Sequence, residues 1–366
     1  MPRSGWLRAV PGPSAPRRPI VWLMLSNRVG DNNQLTALAE ELGYSFEVKD
    51  LAFNQLRHFR PLHGSGLAIV TKESRRLIEP PWPDLVISAG YPSVPVARYI
   101  RQRSGGRTKT VHIGNARTDI EDFDLHLTTP QYPQRPRKNL IELPFPIGNP
   151  ANAAQPAPEE LRWLRALRRP LRLIAVGGPA RHWQLDHAAL GRAIRILRAQ
   201  EQTGSIIVAT SPRTDRRSHD FLKRSVRGAN EIVVEDFPRF PVLLEKADEI
   251  HVTADSVSMI SEAILTGRPV GVIPIKRSFR GLVAEWLFER PLRRRSLPDF
   301  PNFWDLLGRH RLVGTVELPV ASQVCDTVER AAHAVRSLLA PGDAVDDGKA
   351  ECAAAHLGTA GSSRGR

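Results

Sequence analysis

From residue 19 onward the chain alternates short apolar runs with stretches of helical periodicity. "PIVWLML" is followed by "DNNQLTALAEELG", in which Leu35, Leu38, Ala39 and Leu42 recur at the spacing of one helical face. "YSFEVKDL" and "DLVISAG" (84–90) read as strands, "SVPVARYIRQRSG" as the helix after the second of them, and "KTVHIGN" and "FDLHLTTP" as two more strands. Apolar strands separated by helices and Gly-containing turns predict a parallel sheet covered on both faces.

The passage from "TTPQYPQRPRKN" through "LPFPIGNPANAAQPAPEE" holds too many prolines for regular structure and marks a linker. The pattern then restarts. "LRLIAVGG" is a strand, "LDHAALGRAIRILRAQ" an amphipathic helix, and "GSIIVATSPRT", "NEIVVEDF", "ADEIHVTAD" and "RPVGVIPI" are four further strands. The fold class expected is α/β, with two Rossmann-like doubly wound domains facing across a cleft. Its partition is a leader over 1–18, an N-terminal unit over 19–150 and a C-terminal unit over 151–320. A terminal helix over 321–341 can pack back on the first unit, and a polar tail fills 342–366. In such sheets ligands sit beyond the carboxyl ends of the strands, which directs attention to the loops there.

Composition narrows the class. At 366 residues the chain has room for two ordinary domains, and no apolar run approaches the roughly 20 residues of a membrane span. The Arg-containing, acid-free start superficially resembles a transit peptide, but "IVWLML" reads better as the first buried strand. Two cysteines, Cys325 and Cys352, give neither a disulfide framework nor a metal cluster, which points to the cytoplasm. The net charge is +14, split evenly between residues 1–150 and the rest. A field spread this way suits nucleoside diphosphates or an anionic membrane surface, although Arg-rich genome bias accounts for it as well. Nucleic acid has charge alone in its favour and is not expected.

Candidate chemistry falls at strand ends. In "VTADSVSMISEAILTGRPV" a strand leads into a helix that Asp255 or Ser256 can cap and that Gly267 ends. Ser258 and Glu262, four apart, share a face, beside Met259. Free amides at such a start attract phosphate, serine hydroxyls add donors, and a carboxylate one turn on can accept from ribose hydroxyls. An ordinary capped helix with a solvated glutamate is about as good an account. Gly177 and Gly178 allow close backbone approach to a ligand, or merely a tight turn. Thr210, Ser211 and Arg213 form a hydroxyl-rich loop suited to a diphosphate, as surface loops often are. Phe237 can wall a base, though on its own a buried phenylalanine is the commoner outcome.

In the first half, "SNRVGDNNQ" sets Gly30, Asp31, Asn32, Asn33 and Gln34 in one strand-to-helix turn. Capping explains one such residue, not the whole succession, and Asp31 is the candidate base for an acceptor hydroxyl. Gly90, Asn115 and Arg117 end later strands, and His112 is a second candidate base, more commonly a core histidine in that position. No G-x-G-x-x-G, Walker, CxxC or HExxH motif occurs, so no obligatory metal or cofactor is expected.

"GDNNQ", "DLVISAG", "VHIGNAR", "FDLHLTTP", "VGGP", "ATSPRT" and "VTADSVSMISEAILTGRPV" together resemble the bacterial group related to the plant mitochondrial-fission protein ELM, over roughly residues 20–340. That group is described as glycosyltransferases of the GT-B fold. The resemblance implies a nucleotide-sugar donor held by Gly177, Gly178, Ser211, Arg213, Ser256, Ser258 and Glu262, and an acceptor facing the first-half loops. The expectation is thus a metal-independent transferase acting on an envelope or lipid-linked glycan, resting against an anionic inner membrane through "LRWLRALRRPLRL" and "WLFERPLRRRSL". A non-catalytic membrane-surface adaptor and a nucleotide-sugar epimerase share the same frame.

Overall fold

Six strands, β1 (Val21–Leu25), β2 (Phe46–Asp50), β3 (Leu85–Ala89), β4 (Lys109–Ile113), β5 (Leu125–Thr128) and β6 (Leu140–Glu142), pair in the order β2-β1-β3-β4-β5-β6. Every pairing is parallel. The two-residue period of β1 shows why both faces need cover. Val21 and Leu23 enter one hydrophobic cluster with Leu35, Leu38 and Leu42 of α1 (Val29–Leu42), while Trp22 and Met24 enter another with Val96 and Ile100 of α3 (Val94–Arg103). A short α2 (Lys72–Arg75) lies between β2 and β3. These coordinates are a computed structural model that describes residues 18–58, 66–116, 120–132, 134–148, 155–180, 182–200, 204–279, 281–282, 300–322 and 327–339. Most of the expected leader, Arg117, both cysteines, "WLFERPLRRRSL" and the tail lie outside them.

A second sheet runs β10-β9-β7-β11-β12-β14. It is built from β7 (Leu171–Val176), β9 (Ser205–Thr210), β10 (Glu231–Val234), β11 (Glu249–Thr253), β12 (Pro269–Ile273) and β14 (Val320–Ala321). All of its pairs are parallel except that of β14 with β12. One face is covered by α4 (Pro158–Arg165), α7 (Phe240–Lys246), α8 (Val257–Leu265) and α9 (Phe300–Arg309), which contribute Leu164, Val242, Ile260 and Phe303 to its core. The other is covered by α5 (His187–Ala199) and α6 (Arg216–Ser225), which contribute Leu190, Ile194 and Leu222. Strands β8 (Trp183–Leu185) and β13 (Ile275–Arg277) form a separate antiparallel ribbon. The last helix, α10 (Thr327–Leu339), returns to the first sheet, where Val328, Ala331 and Val335 pack in the same cluster as α1.

The α/β reading of the alternating pattern therefore holds, with two doubly wound parallel sheets. The strand order reverses between β1 and β3 in one sheet and between β7 and β11 in the other, and both reversals open toward the same cleft. Strands β6, β8, β13 and β14 escaped the sequence because two or three residues carry no readable period. One expectation is corrected. "LRWLRALRRPLRL" is not a single amphipathic surface: α4 ends at Arg165, and Leu171 and Leu173 are fully buried in the central strand β7, out of reach of any membrane. Among the described residues no helix is long and apolar enough to cross a membrane.

Candidate functional site

A cleft of about 1090 Å³ lies between the sheets, bordered by Asp31, Gly90 and Asn115 from the first and by Arg213, Ser256 and Ser258 from the second. A neighbouring cavity of about 520 Å³ is bordered by Gly30, Asn33, Ser261, Glu262 and Arg268. Gln34 and Ser258 line both. At their junction α1 and α8 touch: a β-carbon on Gly30 would sit 3.0 Å from Ser258 Oγ. Glycine at 30 lets the two helix starts approach this closely.

Both helices begin without a side-chain cap. Arg28 precedes α1 and Ser256 precedes α8, each with extended backbone and neither with a capping hydrogen bond. Their first-turn amides therefore lack the partners that a cap supplies, and the positive ends of two helix dipoles meet where the cavities join. Asp255 was expected as a possible cap; it turns the other way. Its Oδ2 accepts from the amide of Gly178 at 2.8 Å and from Arg213 Nη2 at 3.1 Å, and the side chain is wholly buried.

This arrangement corrects the reading of the paired glycines. The amide of Gly177 donates to Thr253 Oγ1 at 2.8 Å and that of Gly178 to Asp255, so neither is open to a ligand, and neither glycine borders either of these two cavities. They are glycines because a β-carbon at 177 would lie 2.0 Å from Asp255 Oδ2, and one at 178 would lie 2.0 Å from the carbonyl oxygen of Arg213. The pair serves to bring the ends of β7, β9 and β11 together. Ser211 and Thr210 are likewise turned inward: the Ser211 hydroxyl meets Thr214 Oγ1 at 3.3 Å, and Thr210 Oγ1 donates to the Val234 carbonyl at 3.4 Å. Thr214, buried behind them, donates to the Gly177 carbonyl at 2.6 Å and locks this loop to β7.

Four further candidates lie outside both cavities. His112 is completely buried, with Nδ1 2.9 Å from Ser88 Oγ and its ring stacked on Phe123. Burial and the neighbouring His126 hold it well below the usual histidine range, so it is neutral and sealed from an acceptor. Phe237 is half-exposed and packs edge-on against Trp163 of α4, away from both cavities. Met259 packs against the core beneath α8. Asn32 also leaves the cleft: it accepts from the Ser26 amide at 3.0 Å and donates to the Ser26 carbonyl at 2.6 Å, which braces the β1–α1 turn.

The carboxylates that do face the cavities have unusual titration. Burial raises Asp31 despite Arg28 nearby, whose Nη1 is 3.7 Å from Asp31 Oδ2. Burial also raises Asp255 against the opposing pull of Thr253, the Gly178 amide and Arg213. Glu262 is pushed from an ordinary 4.5 up to about 7 by burial. A carboxyl that binds its proton more tightly when folded loses stability on ionising. The cost is absent below about 4.5, grows toward 7 and is complete above it, at about 3 kcal/mol or less. Glu262→Gln should therefore melt above the wild type at pH 8, with the gap closing toward pH 4.5; a pH-independent gap would show that burial is not the cause.

Several cleft residues gave no sequence signal. Arg28, Arg57, Thr128, Gln131, Tyr132 and Phe300 all border it. Thr128 closes a strand that was recognised, so its position at the carboxyl end was the available clue. Phe300 arrives from α9, brought in by tertiary packing against Trp183 and Trp304.

Two doubly wound sheets set across a shared cleft define a protein of the GT-B class. Residues 29–293 match the family model described as Mitochondrial fission ELM1, and the chain belongs to that family. The mitochondrial fission protein ELM1 of Arabidopsis thaliana is 23% identical over an alignment of 263 residues that covers 64% of this chain. The chain spans 61% of the length of that relative. Among solved structures, one assigned as a UDP-N-acetylglucosamine 2-epimerase from Listeria monocytogenes matches with a TM-score of 0.50 at 15% identity, covering 90% of this chain and 99% of its own. MnaA of S. aureus with UDP matches with a TM-score of 0.50 at 12% identity, covering 88% and 97%. Identities this low speak to the fold.

Proposed function

We propose that this protein is a metal-independent glycosyltransferase that moves a sugar from a nucleoside diphosphate to a hydroxyl of an envelope or lipid-linked glycan. The observation that carries the reading is the uncapped start of α8 at the junction of the two cavities, with Ser256 and Ser258 beside it and Glu262 one turn along. Helix-start amides with adjacent hydroxyls suit a diphosphate. Glu262 then lies where a carboxylate can accept from both hydroxyls of a ribose in the smaller cavity, and the transferred sugar faces the cleft. A fold-mate solved with UDP supports a donor of this class.

In the transfer, the acceptor oxygen bonds to the anomeric carbon and its proton passes to Asp31. The bond from that carbon to the diphosphate breaks, and its electron pair leaves on the diphosphate oxygen. The α8 amides, together with Arg213 once it exchanges Asp255 for phosphate, stabilise that charge. Calorimetry with a panel of uridine, guanosine and adenosine diphosphate sugars tests the reading. At least one donor should bind, and Glu262→Ala should weaken it by about 1–3 kcal/mol, the cost of unpaired ribose hydroxyls. If no donor binds, the transferase reading is wrong. Unchanged affinity in the variant would remove Glu262 from the site.

One observation favours a second reading. Asp255 already fills the anion position at Gly178 and Arg213, as suits a frame that has given up its donor and acts as a membrane-surface adaptor. Pelleting with anionic liposomes, combined with no melting shift from any donor, would select it. Release of an isomerised sugar without an acceptor would instead select an epimerase.

A further inference from the structure

The cleft floor on the side of the first sheet holds polar atoms that the fold buries and leaves without a hydrogen bond, among them Asp31 Oδ2 and Thr128 Oγ1. Thr128 is 1% exposed yet borders the cleft, so its hydroxyl carries a desolvation cost that no protein group offsets. The topology fixes how far apart the strand ends beside these atoms stand. Gly90, at the end of β3 with φ 73°, lies against Asp31: a β-carbon there would be 3.0 Å from Asp31 Oδ2. Thr128 ends β5, and β4 runs between β3 and β5. Two strand spacings separate the positions by about 10 Å.

That span matches one sugar ring. Oxygens on opposite sides of a pyranose are about 6 Å apart, built from single bonds of about 1.5 Å. A hydrogen bond of about 2.8 Å at each end brings the reach to about 12 Å in a straight line, and to less once the bonds bend. The charge of the floor agrees with a neutral ligand. Although the chain carries +14, the carboxylate on this floor has its own arginine, Asp31 with Arg28 at 3.7 Å. An anionic acceptor would have to displace Asp31 from Arg28 or sit beside the carboxylate. Tyr91 and Tyr132 border the same stretch and offer aromatic faces to a ring.

We infer that the acceptor is a neutral pyranose lying across the ends of β3, β4 and β5, with one hydroxyl on Asp31 and the hydroxyl across the ring on Thr128. The part of this inference that makes the sugar an acceptor rests on the transferase reading above; the ring site itself rests on the buried polar atoms and the spacing of the strand ends beside them. Thr128 is then a specificity residue, since a hydroxyl that can both donate and accept distinguishes a sugar from its deoxy analogue.

The test uses the full chain and saturation-transfer NMR with the methyl glycosides of glucose, galactose, mannose and N-acetylglucosamine, followed by monodeoxy analogues of any that bind. The wild type should bind at least one glycoside. Thr128→Val, which keeps the shape and removes the hydroxyl, should weaken it roughly tenfold or more, and Thr128→Ser should retain it. One monodeoxy analogue should bind the wild type more weakly than its parent glycoside, and for that analogue Thr128→Val should cost nothing further, the signature of a shared contact. Absence of binding by every glycoside, or equal binding by wild type and Thr128→Val, overturns the inference; the second result would mean that the hydroxyl holds only water. UDP is titrated into the wild type in parallel. UDP binding without glycoside binding removes this site and leaves the nucleotide-sugar reading standing, whereas glycoside binding without UDP does the reverse.

Discussion

Asp31→Asn should lower turnover by about 10²–10⁴, the usual contribution of a positioned general base, while leaving donor affinity nearly unchanged. The size of the effect follows from the site. Asp31 stands in the first turn of an uncapped helix and borders the cleft, with Arg28 Nη1 3.7 Å from its Oδ2. Burial raises its proton affinity above that of an ordinary aspartate, which improves it as a base near neutral pH. Arg28 limits the rise. The amide is nearly the same size, so the fold should persist and the loss should appear in kcat rather than in donor KM. Activity in the rising limb of the pH–rate profile should follow ionisation of this group and vanish from the variant. A variant that retains its turnover would remove Asp31 from the chemistry and, with His112 sealed in the core, leave no base among the residues considered.

The second large effect has the opposite sign. Asp255→Asn should tighten binding of a nucleoside diphosphate by about 1–3 kcal/mol, or roughly 5- to 150-fold, because a buried negative charge a few ångströms from the phosphate is removed. Asparagine can still accept the Gly178 amide, and its NH₂ group replaces the Oδ1 that is buried without a partner. Arg213, released from its 3.1 Å contact, becomes available to the ligand. Calorimetry with UDP at two salt concentrations measures the gain, which should persist at high salt because the carboxylate is enclosed. Equal or weaker binding would show that Asp255 stays clear of the phosphate path and serves only to join β7 to the loop before α8.

Much of this protein is legible along the chain. The alternation of "DLVISAG", "KTVHIGN" and "FDLHLTTP" with helical stretches specifies buried parallel strands, because a strand covered on both faces has to be apolar throughout. The start of α8 was also readable, since serines at a strand-to-helix turn and a glutamate one turn on share a face whatever the surroundings. The glycine pair was not. Gly177 and Gly178 suggest the same close approach whether the approaching atoms belong to a ligand or to Asp255 and Arg213, and sequence carries no information about which. Phe237 and His112 failed for a related reason: residue type gives a side chain's chemistry, but not whether neighbouring elements bury it or turn it outward.

What the sequence determined by itself was the class of fold and the positions where chemistry can occur, because strand period, helix period and turn residues are local properties. Tertiary structure alone decided which of those positions face one another. Asp31 meets the start of α8 only because two sheets, each reversing its strand order at the cleft, bring Gly30 against Ser258 across more than two hundred residues of chain. Contacts at that separation depend on how whole layers pack, and packing is a property of the assembled surfaces rather than of any segment.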